Sequence, residues 1–184
     1  GSFLITVFRE ACLYEVAERV IPGLVVDVNT LHGLKIQAGI VYQVKKRKPW
    51  DEGYQKNILS AALAATAGMR LVVAVDEDVD IYNADEVLWA ITSRVNPDLD
   101  IIRGPRGGRG TIMQPLERTG FGGGGFEGGI GLDATVPFEL KDEFTRSHYP
   151  VERIDLQKWF SEKEIAAITD MQDEYAKVLA RTGA

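Results

Sequence analysis

Leu71-Val72-Val73-Ala74-Val75-Asp76-Glu77-Asp78-Val79-Asp80 decides the fold. Five consecutive apolar residues, mostly β-branched, read as a strand buried on both faces, the habit of a central strand in an α/β sheet. The carboxylates end it. Asn83 or Ala84 then opens a helix through Trp89 to Val95, and Asn96-Pro97 stops that helix because proline cannot continue the ladder.

Working upstream, Glu52 to Ala67 is rich in alanine and leucine and reads as a helix that ends near Gly68. Before it, Lys45-Lys46-Arg47-Lys48 leads into Pro49 and reads as a solvated basic rim. Leu34 to Val44 alternates, with Ile36, Ala38, Ile40 and Tyr42 on one side, as a strand does. Leu31-His32-Gly33 is a turn, and Leu24 to Val28 is a short strand that completes a hairpin. Phe8 to Val20 carries apolar residues at 8, 12, 13, 16, 17 and 20, the one-face spacing of a helix, with Cys12 packed inertly on that face. Pro22-Gly23 ends it.

Downstream, Leu99 to Ile102 is a short strand. The order α-β-β-α-β-α-β predicts an α/β fold with crossovers, built on a mixed β-sheet flanked by helices. Residues 104–131 then hold 12 of the 19 glycines and predict a long loop. Ser161-Glu-Lys-Glu164 is a capping box before an apolar-periodic run through Ile165, Ile168, Met171, Tyr175 and Leu179. The expected organisation is an expression scar at 1–2, an α/β domain over 3–160 with the glycine-rich loop at 103–131, and a carboxyl-terminal helix over 161–184.

Composition removes several function classes. The chain has 184 residues, 45% hydrophobic and 26% charged, as ordinary folded domains do. A net charge of −6 argues against a general nucleic-acid face. No stretch reaches about 18 consecutive apolar residues, the minimum for a membrane span. Phe3 to Phe8 lacks the basic lead and cleavage site of a signal peptide, which points to the cytoplasm. One cysteine, Cys12, excludes an internal disulfide.

The chemistry-bearing candidates are few. Asp76, Glu77, Asp78 and Asp80 sit at a strand end, where an α/β sheet often takes ligands and where carboxylates could hold Mg²⁺. The competing reading is a helix cap and solvated turn. Arg103, Arg106, Arg109 and Arg118 accompany the glycine loop and could bind an anion, yet no phosphate-loop motif appears in the required context. There is no Gly-x-Ser-x-Gly elbow. His32 and His148 are scattered, which disfavours both zinc and a catalytic pair.

One combination is more specific. Val72 to Asp80, then Glu86-Val87-Leu88-Trp89-Ala90-Ile91-Thr92-Ser93-Arg94-Val95-Asn96-Pro97, then Gly131-Leu132-Asp133-Ala134-Thr135 together resemble the carboxyl-terminal domain of UbiD-family decarboxylases. Arg9-Glu10-Ala11 and Val26-Asp27-Val28 resemble its start. The resemblance implies an enzyme that removes or adds a carboxylate on aromatic, heteroaromatic or α,β-unsaturated acids. It implies prenylated FMN with Mn²⁺ and K⁺, all held by a larger amino-terminal flavin-binding domain that has no counterpart here. No catalytic, cofactor or metal residue is then expected in this chain, which looks like an excised or naturally separated domain, inactive alone. The family likeness further implies a homodimer or higher homo-oligomer. It also implies a loop, here Arg103 to Phe121, that closes on a small carboxylic acid, with Thr111, Ile112 and Met113 facing the substrate. In this light Asp76 and Asp78 cap the next helix and pair with Arg94 or loop amides. A stand-alone Mg²⁺-dependent phosphoryl-transfer enzyme using Asp76 to Asp80, and a binding domain with no chemistry, remain the alternatives at this point.

Overall fold

The computed structural model describes residues 2–30, 39–65, 69–105, 128–144, 146 and 155–167. The chain divides into two compact units, Gly1–Phe144 and Thr145–Ala184.

The first unit contains the sheet. Its elements are α1 (Ser2–Val20), β1 (Val25–Thr30), β2 (Gly39–Val44), α2 (Tyr54–Ala65), β3 (Leu71–Asp76), α3 (Ala84–Arg94), β4 (Ile101–Arg103) and β5 (Ile130–Ala134). The strand order is β1-β2-β3-β5-β4. β1 and β2 pair antiparallel, as the predicted hairpin requires, with an irregularity between Val25 and Asp27. β2, β3 and β5 run parallel, and β4 returns antiparallel along β5.

The alternation of strand side chains divides the core. Ile40, Tyr42, Val44, Val72 and Ala74 face Leu13 and Ala17 of α1 and Ile58, Leu59, Ala62 and Leu63 of α2. Val41, Val73, Val75 and Ala134 face Val87 and Ala90 of α3. The buried Tyr42 hydroxyl donates to the Leu13 carbonyl at 3.0 Å, which fixes α1 on the sheet. Burial raises the Tyr42 pKa.

Four expectations change. β4 does not continue the parallel run after β3: it lies on the outer edge, and β5, which was read as a motif and not as a strand, takes the place beside β3. Cys12 is exposed, and so is Phe8, because α1 turns Leu13 and Ala17 inward and leaves 8 and 12 on the outer side. The cap of α3 is Asn83, whose side chain accepts from the Asp85 amide, and not Asp76 or Asp78. The basic run is not all rim, since Lys46 is only 2% exposed.

In the second unit, the Ser161 hydroxyl and amide both lie within hydrogen-bond reach of the Glu164 carboxylate, at 2.7 and 2.8 Å, and residues 162–167 are helical. The hydroxyl and amide of Ser161 hold the Glu164 carboxyl below its usual range. The periodic run beyond 167 lies outside the described residues, as do the turn at 31–33 and Gly68. No helix among the described residues is long and apolar enough to cross a membrane.

Candidate functional site

Parallel strands give the sheet two distinct edges. Val44 and Asp76 pair at the carboxyl edge, next to the end of β5 at Ala134. Gly39, Leu71 and Ile130 begin the same strands at the amino edge.

The carboxyl edge is a connected polar cluster. The period-two side that carries Ile40, Tyr42 and Val44 inward carries Lys46 inward as well. Its ammonium donates to Glu52 Oε2 at 2.9 Å, Thr135 Oγ1 at 3.1 Å and the Val136 carbonyl at 2.6 Å. All three of its protons are therefore placed. Glu52, at the entry to α2, also accepts from the Phe138 amide at 2.8 Å and the Gln55 amide at 2.7 Å. Burial pushes the Glu52 carboxyl up, but the Phe138 amide, Lys46 and Gln55 together hold it below its ordinary value.

Asp133 lies one layer deeper. It accepts from the Thr135 hydroxyl at 2.7 Å, the Thr135 amide at 3.2 Å and Gln55 Nε2 at 2.9 Å. Lys56 approaches it at 3.9 Å and donates to Asp100 at 2.8 Å. Burial lowers the Lys56 pKa, and the hydrogen bond and charge of Asp100 outweigh this and raise it.

Asp76 closes the cluster on its α3 side. Its Oδ2 accepts from the Val136 amide at 2.7 Å and from Arg94 Nη1 at 3.1 Å. Arg94 also grips Asp78 through both terminal nitrogens, at 3.0 and 2.6 Å, and stacks over Trp89 at 5.0 Å. Asp76 Oδ1 is buried with no hydrogen-bond partner among the described residues. Burial raises the Asp76 carboxyl, and the Val136 amide and the charges of Lys46 and Arg94 offset this only in part.

This geometry bears on the metal reading. Arg94 lies on Asp76 and Asp78, Lys45 pairs with Glu77, and Asp80 accepts from the Tyr82 amide. Among the described residues, no group of three or more His, Cys, Asp or Glu side chains is placed to hold a metal ion. A cation at this turn would have to displace a guanidinium. Replacing Asp78 with Ala is expected to lower stability by about 1 kcal/mol, since the pair is partly exposed and Arg94 keeps Asp76. A thermal melt and metal analysis on the same variant check this. A fall in stoichiometric bound metal would contradict it.

The two buried carboxylates make a second prediction. Burial raises Asp133 above its ordinary value of 3.8, despite its hydrogen bonds to Thr135 and Gln55. A carboxyl whose folded pKa is raised contributes stability below the unfolded value, and that contribution is lost as pH rises through the folded pKa. Asp133→Asn is therefore expected to flatten the decline in stability on going upward from pH 3.8, read by denaturant melts across that range. An unchanged slope would contradict this.

The amino edge is organised by close backbone approach. The Gly104 amide donates to the Gly129 carbonyl at 2.8 Å, and the Ile130 amide to the Arg70 carbonyl at 2.9 Å. A Cβ on Gly129 would overlap the Met69 carbonyl oxygen and lie 2.7 Å from Leu63 Cδ2. A Cβ on Gly104 would meet Leu63 Cβ at 3.1 Å. The residues that bracket segments 31–38, 66–68 and 106–127 all lie at this edge, where β1 ends, β2 begins, β3 begins, β4 ends and β5 begins. Glu10 of α1 reaches the same edge, accepting from the Thr30 amide at 2.8 Å and hydroxyl at 2.7 Å.

The structure thus brings Asp76, Asp78 and Arg94 together. Thr111, Ile112 and Met113 lie outside the described residues, as do Arg106, Arg109, Arg118, His32 and His148. Sequence reasoning missed Lys46, Glu52, Gln55 and Asp133. The strand parity that placed Tyr42 was a usable signal for Lys46, while nothing local marked Glu52 or Gln55.

Comparison with known proteins agrees with the fold. Gallate decarboxylase of Lactiplantibacillus plantarum is 30% identical over 145 residues, covering 76% of this chain and 29% of the relative. The apo structure of a 3,4-dihydroxybenzoic acid decarboxylase from Enterobacter cloacae superposes with a TM-score of 0.68 at 34% identity, over 84% of this chain and 32% of that one. The UbiD-class enzyme HmfF from Pelotomaculum thermopropionicum, solved in complex with FMN, gives 0.64 at 27%, over 83% and 32%. An evolved dimeric form of the same enzyme in complex with prFMN gives 0.56 at 25%, over 83% and 29%. The chain therefore spans less than a third of the length of these relatives. Residues 2–134 match the family model described as the 3-octaprenyl-4-hydroxybenzoate carboxy-lyase C-terminal domain, and on that match the chain belongs to the UbiD carboxyl-terminal domain family.

Proposed function

We propose that this chain serves as the carboxyl-terminal domain of a cytoplasmic, homo-oligomeric UbiD-like reversible decarboxylase of aromatic, heteroaromatic or α,β-unsaturated carboxylic acids. In this reading the domain joins copies of the enzyme and closes its substrate pocket, and it is inactive alone. The observation that carries the reading is the family match over residues 2–134, beside relatives whose names are those of decarboxylases.

Prenylated FMN, when bound in such an enzyme, supplies the electron sink for loss of CO₂. The described residues of this chain do not fit that group or its ions. Asp133 and Asp76 Oδ2 already accept from Gln55, Thr135, Arg94 and Val136, the Lys46 ammonium is fully used within the fold, and the one unpartnered oxygen, Asp76 Oδ1, has no group of three or more ligating side chains around it among the described residues. In this reading prenylated FMN, Mn²⁺ and K⁺ belong to an amino-terminal flavin-binding domain of the enzyme.

The chain's own part is positional. Pro105 and Gly128 hold the ends of 106–127 at the amino edge, beside the ends of two other connections. In this reading Thr111, Ile112 and Met113 of that loop face the substrate. Ile112 and Met113 would set ring size by steric fit, where a methylene or so of space is worth about 1–3 kcal/mol. In the flavin-containing enzyme, Ile112→Ala and Met113→Ala are expected to shift the ratio of kcat/KM between a larger and a smaller aromatic acid by about tenfold or more toward the larger. An unchanged ratio would overturn the assignment.

A further inference from the structure

We propose that residues 137–144 form a strap that opens as a unit from the carboxyl edge, hinged after Val136, and that Glu52 and Lys141 are its two latches. The inference does not depend on the decarboxylase reading.

The segment after β5 has two parts held in different ways. Thr135 and Val136 are buried, and Lys46 and Asp76 bond them from below. From Pro137 to Phe144 no residue is buried. Phe138 to Leu140 form a 3₁₀ turn, which with Glu143 and Phe144 is closed by bonds local to the strap: the Leu140 amide to the Pro137 carbonyl, the Lys141 amide to Phe138, and the Glu143 and Phe144 amides to Leu140. These bonds keep the strap's shape but do not attach it to the sheet.

Among the described residues, attachment comes from two polar links. The Phe138 amide donates to Glu52 Oε2 at 2.8 Å, and Lys141 Nζ donates to the Lys46 carbonyl at 3.0 Å. Lys141 also lies over the Phe138 ring at 5.8 Å, a contact within the strap. A segment with internal hydrogen bonds, little burial and few external links opens below the global unfolding free energy. Leu140 and Phe144 are exposed and Phe138 is half-buried while the strap is closed, so opening uncovers no fully buried apolar side chain of the strap. Phe144 is the last residue of the first unit, so the chain leaves that unit from the strap's end. Its two links join it to Glu52 and Lys46, beside the carboxyl end of β2, the edge at which α/β sheets commonly take ligands.

Amide hydrogen exchange on the full chain tests this. In the unaltered protein, the amides of Phe138, Lys141, Glu143 and Phe144 are expected to exchange faster than those of β3, and by a shared opening step. Lys141→Gln removes one charge-assisted link and should speed those four amides together by about tenfold or more, while β3 amides keep their rates; Glu52→Gln also takes the carboxylate from the buried Lys46 ammonium, so it should speed the strap amides by more than it speeds those of β3. Lys141→Gln leaves the buried Lys46 cluster intact and so separates latch loss from general destabilisation. The proposal is overturned if neither variant changes strap exchange, if the four amides respond by different factors, or if β3 accelerates equally.

Discussion

Replacing Lys46 with Met is expected to destabilise the first unit by about 3 kcal/mol, near the lower end of the range for breaking a buried ion pair. The side chain is fully buried, so Met keeps most of the stem packing and the loss is electrostatic. It leaves the Val136 carbonyl and the Thr135 hydroxyl without their Lys46 donor, and each unsatisfied buried group costs about 1–3 kcal/mol. Glu52 loses a partner too, but its partial exposure lets water replace it. For a unit of this size the melting temperature should fall by roughly 10 °C. Lys48, two residues along the same basic run, is exposed and lies over the Trp50 ring, so the change in Lys48→Met should stay within about 0.5 kcal/mol. Equal effects for the two variants would show that burial of Lys46 is not what matters.

Gly129→Ala is expected to be comparably severe for a steric reason. The added Cβ would overlap a main-chain carbonyl, at Met69, and not the movable end of a side chain. Relief requires displacing the start of β5 from β3 or breaking the Gly104–Gly129 bond. Overpacking of this kind costs about 1–3 kcal/mol, and more where backbone is the obstacle. Gly131→Ala meets Leu59 Cβ at 3.1 Å and should cost less, because a helix side chain can give by a few tenths of an ångström. Denaturant melts of the two variants should therefore rank Gly129→Ala below Gly131→Ala. The reverse order would contradict the tight neck between β4 and β5.

Much of the architecture was legible because hydrophobic period and breakers coincide. The run at 71–75, the hairpin and the Asn83 start of α3 all follow from local pattern. β5 was not legible as a strand. It is five residues long, begins after Gly128-Gly129 and carries the buried Asp133, so neither alternation nor β-branching marks it. Its place beside β3 is set by non-local pairing. The Asp76–Arg94 pair could be expected from the motif at 76–94, whereas the Lys46–Glu52–Gln55–Asp133 cluster is closed by a bond across 78 positions and has no sequence spacing to betray it. Cys12 was misassigned because residues 8 to 20 offer more apolar positions than one helix face can bury.

Under the proposed function, this chain positions and closes while the decarboxylating prosthetic group is held elsewhere in the enzyme. The most direct measurement is CO₂ release from a 3,4-dihydroxybenzoate-type acid. It compares the purified chain supplied with prenylated FMN, Mn²⁺ and K⁺ against the same chain joined to a flavin-binding amino-terminal portion. The chain alone is expected to give no CO₂ above background and no stoichiometric flavin binding, and the joined protein to turn over. Turnover or one-to-one flavin uptake by the chain alone would contradict it.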